Sequence, residues 1–439
     1  MAMPDFSQSQ SVRLFRSSAP YINAHRGKTF VLMFGGEAFD HNNFANIIHD
    51  IALLSSLGVR LVLVHGARPQ IDERVALRNM VSRFIDGVRV TDKPTLEAVK
   101  DAAGSVRAQI EALLTMGLPN SPMHGAQIRV VGGNHVVAQP MGVKQGVDFE
   151  NTGVVRRIDT DAVHDHLNDG SIVLLSPIGY SPTGEVFNLS HEDVAAQAAI
   201  ALDADKFIAF SEHVGVLKND GKLLRNVEIP IFNSLVHNNE LEIEKTVSYA
   251  LSETVSAGIP RAHCVSYQQD GALLQELFTR DGAGSLISQH DYEQLRSATI
   301  DDVGGILKLI KPLEESGILV KRSRERIERE IEQFIVIERD GMIIGCAALN
   351  FYPKDNCAEL ACVATHREYR GGNRGERILE AIKSRTLAEG ITRLFVLTTV
   401  TAHWFLEQGF TPANINSLPQ GKQELYNFQR NSKVFDMQL

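Results

Sequence analysis

A short apolar run at 31–34 (VLMF) stops at Gly35 and Gly36, and the apolar positions beyond it change period. Phe44, Ile47, Ile48, Ile51, Leu54 and Leu57 recur at helical spacing and Gly58 follows as a stop, which predicts a helix over about 43–57. The next segment, VRLVLVHG, is nearly continuous in apolar residues, as a strand buried on both faces of a parallel sheet would be. Strand, helix and strand make a βαβ unit. Further runs of this kind, SIVLLSP at 171–177 and KFIAFSE at 206–212, alternate with helical stretches such as EDVAAQAAIALD, so the first two thirds of the chain read as an open α/β sandwich. The pattern breaks near GAGSLISQHDYEQ (282–294), and a linker is placed at 286–295. A smaller α+β module follows over 296–439: a helix near 301–315, strands FIVIER and MIIGCAALNF joined by a DG turn, a strand AELACVAT, a helix ERILEAIKSRTLAEG and a strand RLFVLTT.

A chain of 439 residues exceeds the usual single core, in keeping with two domains. The net charge of −9, with no basic block, argues against nucleic acid or an anionic membrane as partner. No apolar h-region opens the chain and no apolar run is long enough to span a membrane, so a cytoplasmic location is expected. Cys264, Cys346, Cys357 and Cys362 form no CxxC pair and have no nearby histidine cluster, so no metal is expected. Cys357 and Cys362 lie five apart in one strand, where simple alternation points them to opposite faces and argues against a disulfide.

Two segments carry chemistry. In ACVATHREYRGGNRGERILEAI a strand runs into a basic glycine-rich turn and then a helix, whose unpaired N–H groups and dipole point at the turn. Arg370 and Arg374 bring charge, and Gly371, Gly372 and Gly375 allow close backbone approach, as a pyrophosphate site requires; a solvated surface turn would look the same. The other segment, VLMFGGEAF, has the strand, Gly-Gly turn and helix start of a phosphate cradle, yet no lysine stands in or beside the turn.

From about 296 to the C-terminus, the turn together with RLFVLTTVTAHWFLEQGFTP resembles the GNAT N-acetyltransferases. The resemblance implies acetyl-CoA as co-substrate, with its pyrophosphate on the Arg370–Gly375 turn. The family's R-x-x-G-x-G would place glycine at 373, where this chain has Asn373, a residue that tolerates the left-handed conformation. Upstream, KTFVLMFGGEAF, VLVHGARPQID, GVRVTD and ELFTRDGAGS resemble the amino acid kinase family over 25–285. Kinases of that family carry lysine where Met33 stands and glycine where Arg68 stands, so the resemblance implies a kept fold and lost phosphoryl transfer. The pairing of these two domains resembles the bacterial N-acetylglutamate synthases. It implies L-glutamate as acceptor, L-arginine as allosteric inhibitor, a homo-oligomer such as a hexamer, and an N-terminal helical arm at 1–24 used in assembly.

Acetyl transfer needs a base for the ammonium, donors for the thioester carbonyl and a proton for the leaving thiolate. Glu359, flanked by apolar Leu360, Ala361 and Val363, is the candidate base; an exposed edge carboxylate is the plain alternative. Backbone amides at Cys362 and Val363 are the expected carbonyl donors, and a covalent acetyl-Cys362 is the rival. Thr398 is either the general acid or an ordinary strand-end threonine. By resemblance, Arg322, Arg430 and Ser432 bind the glutamate carboxylates, while Tyr21, Asp281, Gly282 and Gly284 bind arginine. Asp281 and the glycines could equally shape a surface turn. Two other readings compete with the synthase: an acetylglutamate kinase with an accessory domain, and a non-enzymatic arginine sensor.

Overall fold

The run after the first helix, α1 (Gln8–His25), is a strand, β1 (Thr29–Phe34), whose six residues are all buried. Its alternate side chains enter two cores: Val31 and Met33 pack with Ala195, Ala198 and Leu251, while Phe30, Leu32 and Phe34 pack with Ile48, Ile51 and Val99. A strand covered on both faces has no need of polar alternation, which is why it reads as a continuous apolar run. This is a computed structural model, and it describes residues 8–117, 121–289, 293–339, 341–370, 373–424 and 432–439. The chain forms two units, Met1–Asp291 and Tyr292–Leu439.

In the first unit the expected helix is α2 (Phe44–Ser56), followed by β2 (Arg60–His65) and α3 (Arg68–Leu77). Further along come β3 (Val130–Val131), β4 (Ile172–Leu175), α4 (His191–Ala201), β5 (Lys206–Ser211), β6 (Asn226–Glu228), β7 (Arg261–Ser266), α5 (Ala272–Phe278) and β8 (Ser285–Ser288). These strands build one eight-stranded sheet in the order β6-β8-β7-β5-β1-β2-β4-β3. Every pairing is parallel except β7 with β8.

The linker expected at 286–295 is mostly strand. Leu286 and Ile287 are buried in β8, between β7 and β6, and Glu293–Ser297 forms the edge strand β9 of the next sheet. The small residues before β8 mark a close approach rather than a loose connection, because a Cβ on Gly284 would strike the carbonyl oxygen of Cys264.

The second unit adds α6 (Val303–Glu315), β10 (Phe334–Arg339), β11 (Met342–Tyr352), β12 (Cys357–Thr365), α7 (Arg374–Ala388), β13 (Arg393–Thr398), α8 (Ala402–Glu407), β14 (Thr411–Ala413), α9 (Gln420–Gln423) and β15 (Lys433–Gln438). Its seven-stranded sheet runs β9-β10-β11-β12-β13-β15-β14. Only β12 and β13 pair in parallel among the described strands, and their register ends at Leu360 opposite Val396 although both continue. Beyond that point β12 bulges: the register against β11 slips between Cys346 and Ala348, and Cys362 takes a φ of 53°. The bulge corrects the expectation for the cysteines. Ala361, Cys362 and Ala364 all pack on the α6 face, the face that alternation assigns to Cys357, so Cys357 and Cys362 share a side. All four thiols are free.

Candidate active site

The point where β12 and β13 part is also where charged side chains gather. Ala358 and Leu360 pack beneath α7 with Ile378, Leu379 and Ile382, so Glu359 between them points to the opposite face. It is 5% exposed, which settles against an exposed edge carboxylate. Asn350 Nδ2, from the residue opposite on β11, donates to Glu359 Oε2 at 3.2 Å, and the Tyr352 hydroxyl donates to the same oxygen at 3.4 Å. Burial first, and then the charge of Glu359, push the Tyr352 phenol up to about 12, so it stays a donor at neutral pH. The carboxylate is not alone in an apolar pocket, as the sequence suggests. Lys422 of α9 places Nζ 2.6 Å from Oε1 and 2.8 Å from Oε2.

Beside the bulge, Cys346 Sγ donates to the carbonyl of Cys362 at 3.6 Å, and its thiol is raised well above the usual range by its contact with Cys362 and by burial. The buried Cys362 side chain faces that thiol, and the contact with Cys346 lowers the Cys362 thiol while burial opposes the shift. Arg322 acts electrostatically on both thiols. Its backbone N–H donates to Glu314 at 2.8 Å, while its buried Nε has no partner among the described residues. Thr398, 8% exposed, accepts from the backbone N–H of Thr401 at 3.1 Å and shares a 2.9 Å hydrogen bond with the Thr401 hydroxyl. Alternation puts it on the α7 side with Leu394 and Val396, across the gap from Glu359. Ser432 precedes β15, whose Lys433 lies opposite Thr398. Arg430 lies outside the described residues.

On the α7 side, Asn373 caps the helix with φ 54° and ψ 9°, taking the left-handed conformation in which a glycine was expected. Arg370 is exposed at the turn; Gly371 and Gly372 lie outside the described residues. Arg374 departs from its expected role. Its guanidinium sits on Glu293 at 2.5 Å and donates to the Tyr369 carbonyl at 2.9 Å, so it ties the turn to β9 instead of offering charge to a phosphate. Burial alone would raise the Glu293 carboxyl, but Arg374 and Arg339 reverse that and hold it low. Gly375 packs against the Trp404 ring, which a Cβ would meet at 2.9 Å.

In the first unit the phosphate cradle is closed by its own side chains. Arg68 opens α3 and turns to Glu192 at 3.0 Å and Glu244 at 3.6 Å. Glu192 is 2% exposed; burial would raise its carboxyl, but His191 and Arg68 hold it well below the usual range. Glu37 lies against Gly35, and Gly66 faces the backbone of Gly35 and Gly36 with His191 beside it. Three carboxylates thus surround the loops that would carry phosphate, and Met33 is core.

The arm and the loop after α5 are brought together. His25 Nε2 bonds the Leu277 carbonyl at 2.8 Å, its ring packs edge-on to Phe278, and Tyr21 lies one turn earlier on α1. Asp281 is exposed, Gly282 has a φ of 64°, and Gly284 donates to Glu276 at 2.9 Å. Burial opposes the charge of Glu276, yet His263 and the N–H groups of Gly284 and Ala283 bring its carboxyl down to about 2. Glu276, next to Gly282, is the ionised group that sequence reasoning missed although it opens the ELFTRDGAGS segment; Lys422, also missed, stands in no motif.

Residues 28–240 match the amino acid kinase family and residues 305–410 the acetyltransferase (GNAT) family. The amino-acid acetyltransferase of Azotobacter vinelandii is 54% identical over 98% of this chain and 99% of its own, and that of Pseudomonas fluorescens (strain Pf0-1) is 52% identical over 100% of both. N-acetylglutamate synthase from Neisseria gonorrhoeae is 36% identical, covering 98% of this chain and 99% of its own. Its crystal structure complexed with coenzyme A and L-arginine has a TM-score of 0.87. The one complexed with coenzyme A and N-acetyl-glutamate has a TM-score of 0.61. With a kinase-like unit, a GNAT unit parted at a bulged strand, and relatives this similar along their whole length, the chain belongs to the amino-acid acetyltransferase family.

Proposed function

We propose that this enzyme transfers the acetyl group of acetyl-CoA to the α-amine of L-glutamate, with Glu359 as proton acceptor. The observation that carries the reading is the buried, hydrogen-bonded Glu359 on the strand that leaves its parallel neighbour one residue later. The gap between β12 and β13 admits the thioester, and the backbone amides of Cys362 and Val363, past the last β12–β13 pair, polarise its carbonyl. The ammonium gives a proton to Glu359, the amine nitrogen attacks the carbonyl carbon, and the C–S bond breaks. The nitrogen loses its second proton as the amide forms, and the thiolate takes a proton from the Thr398 hydroxyl, which that second proton restores, or from water. Arg322, with its unpartnered Nε, Arg430 and Ser432 hold the glutamate carboxylates. Arg370, Gly371, Gly372 and the first turn of α7 with Gly375 take the pyrophosphate; Arg374 supports that turn through Glu293.

Glu359→Gln keeps the shape and removes the proton acceptor. CoA release with glutamate should fall by about 10²- to 10⁴-fold while acetyl-CoA still binds. A near-normal rate at neutral pH would remove Glu359 from this role. The reading extends to regulation: L-arginine binds between α1 and the 278–284 loop, near Tyr21, Asp281, Gly282 and Gly284, and inhibits transfer. The gonococcal complex with L-arginine and the docking of His25 on Leu277 support it. A homo-oligomer, such as a hexamer, in the cytoplasm completes the proposal.

A further inference from the structure

The acceptor in this reaction is an ammonium that must reach Glu359, and an ammonium is already there. Lys422 Nζ lies 2.6 and 2.8 Å from the two oxygens of Glu359, and its side chain is 26% exposed, so it enters from the rim of the site. Asn350 and Tyr352 reach only Oε2, which leaves Oε1 to Lys422 among the described residues. Any free amine must take the position Nζ now holds, because a carboxylate that accepts its proton has to be within hydrogen-bond reach of it.

We infer that Lys422 is an internal acetyl acceptor: when no amino acid is bound, its Nζ takes the acetyl group from acetyl-CoA. Glu359 removes one proton from the lysine ammonium, the neutral Nζ attacks the thioester carbonyl, a second N–H proton is lost to solvent, and the C–S bond breaks. The products are Nε-acetyl-lysine in the chain and CoA with its thiol reprotonated. No further reactant is required. Acetylation removes the positive charge and leaves a single N–H donor, so it takes the cation away from a buried carboxylate and fills the place of the acceptor amine. Free glutamate competes for the same two oxygens and protects Lys422. The enzyme without its acceptor then converts itself slowly into a form that cannot bind one.

The inference rests on Glu359 as the proton acceptor, so the experiment reads both. The full-length protein is incubated with isotope-labelled acetyl-CoA held in excess, with and without saturating L-glutamate, and CoA release is followed in the same samples. Peptide mass spectrometry then compares label at Lys422 with label at exposed lysines such as Lys354 and Lys433. Lys422 should carry at least ~10-fold more label than these, lose most of it when glutamate is present, and fall to their level in Glu359→Gln. Glutamate-dependent CoA release that needs Glu359, with Lys422 labelled no more than the exposed lysines, would overturn the inference and leave the assignment of the base intact. Strong labelling of Lys422 in Glu359→Gln with CoA release unchanged would overturn both.

Discussion

Gly375 shows how one missing methyl group joins two parts of the site. A Cβ there would stand 2.9 Å from the ring of Trp404, which is itself held edge-on against Phe405 at 4.9 Å between centroids. In an exposed helix, Gly→Ala gains about 0.5–1 kcal/mol from backbone entropy. Here overpacking against a fixed ring, at about 1–3 kcal/mol, decides the sign. Gly375→Ala should therefore lower the thermal midpoint and weaken CoA binding, read by calorimetry and titration; a stabilised variant would show that the ring yields. Asn373 and Arg374 make the contrast. The left-handed turn at Asn373 follows from the known tolerance of asparagine, whereas nothing in the residue type tells the exposed Arg370 from Arg374, which Glu293 claims from 81 residues away.

At the scale of elements, the bulged β12 and the N-terminal arm do the work of placement. An 11-residue β11 and a nine-residue β12 would form an uninterrupted ladder, but the slip at Cys346/Ala348 puts Ala361 and Cys362 on one side and frees backbone for a ligand. The last turn of α1 docks on the sheet unit: His25 bonds Leu277 and lies between Phe30 and Phe278. If arginine binds where α1 meets the 278–284 loop, removing residues 1–24 or changing Asp281 to Ala should abolish inhibition by arginine, a coupling of about 1–3 kcal/mol. The test is the rate with and without arginine. Inhibition that survives both changes would place the regulatory site elsewhere.

Over the whole molecule, the two units divide old and present chemistry. The eight-stranded unit keeps the order and glycine turns of a phosphate-handling sheet, yet Met33 is in its core, and Arg68, Glu192 and Glu244 form an ion-paired cluster over the cradle. Phosphoryl transfer depends on positioning and on cations around the transferred group, and here carboxylates stand in their place. The protein should form no ADP from ATP and N-acetylglutamate, and Met33→Lys should not restore it, since Arg68 and the carboxylates remain. ADP formation by the unmodified chain in a coupled assay would sink this reading.

The two-domain order, the strands buried on both faces, the helix at Phe44–Ser56 and the glycine-rich turn were legible in sequence because each depends on residues close together in the chain. Burial periodicity and turn chemistry are local, and the placing of Glu359 on an inner strand follows from its apolar neighbours alone. Tertiary structure decided the rest. Local pattern read the 286–295 segment as linker, but Leu286 and Ile287 belong to β8, which is held between β7 and β6. The bulge at Cys362 is a mismatch between two strands and has no signature within one. Above all, the partner of Glu359 is Lys422, 63 residues away on a short polar helix. A charge finds its counter-ion through space, and spacing along the chain carries no record of that distance.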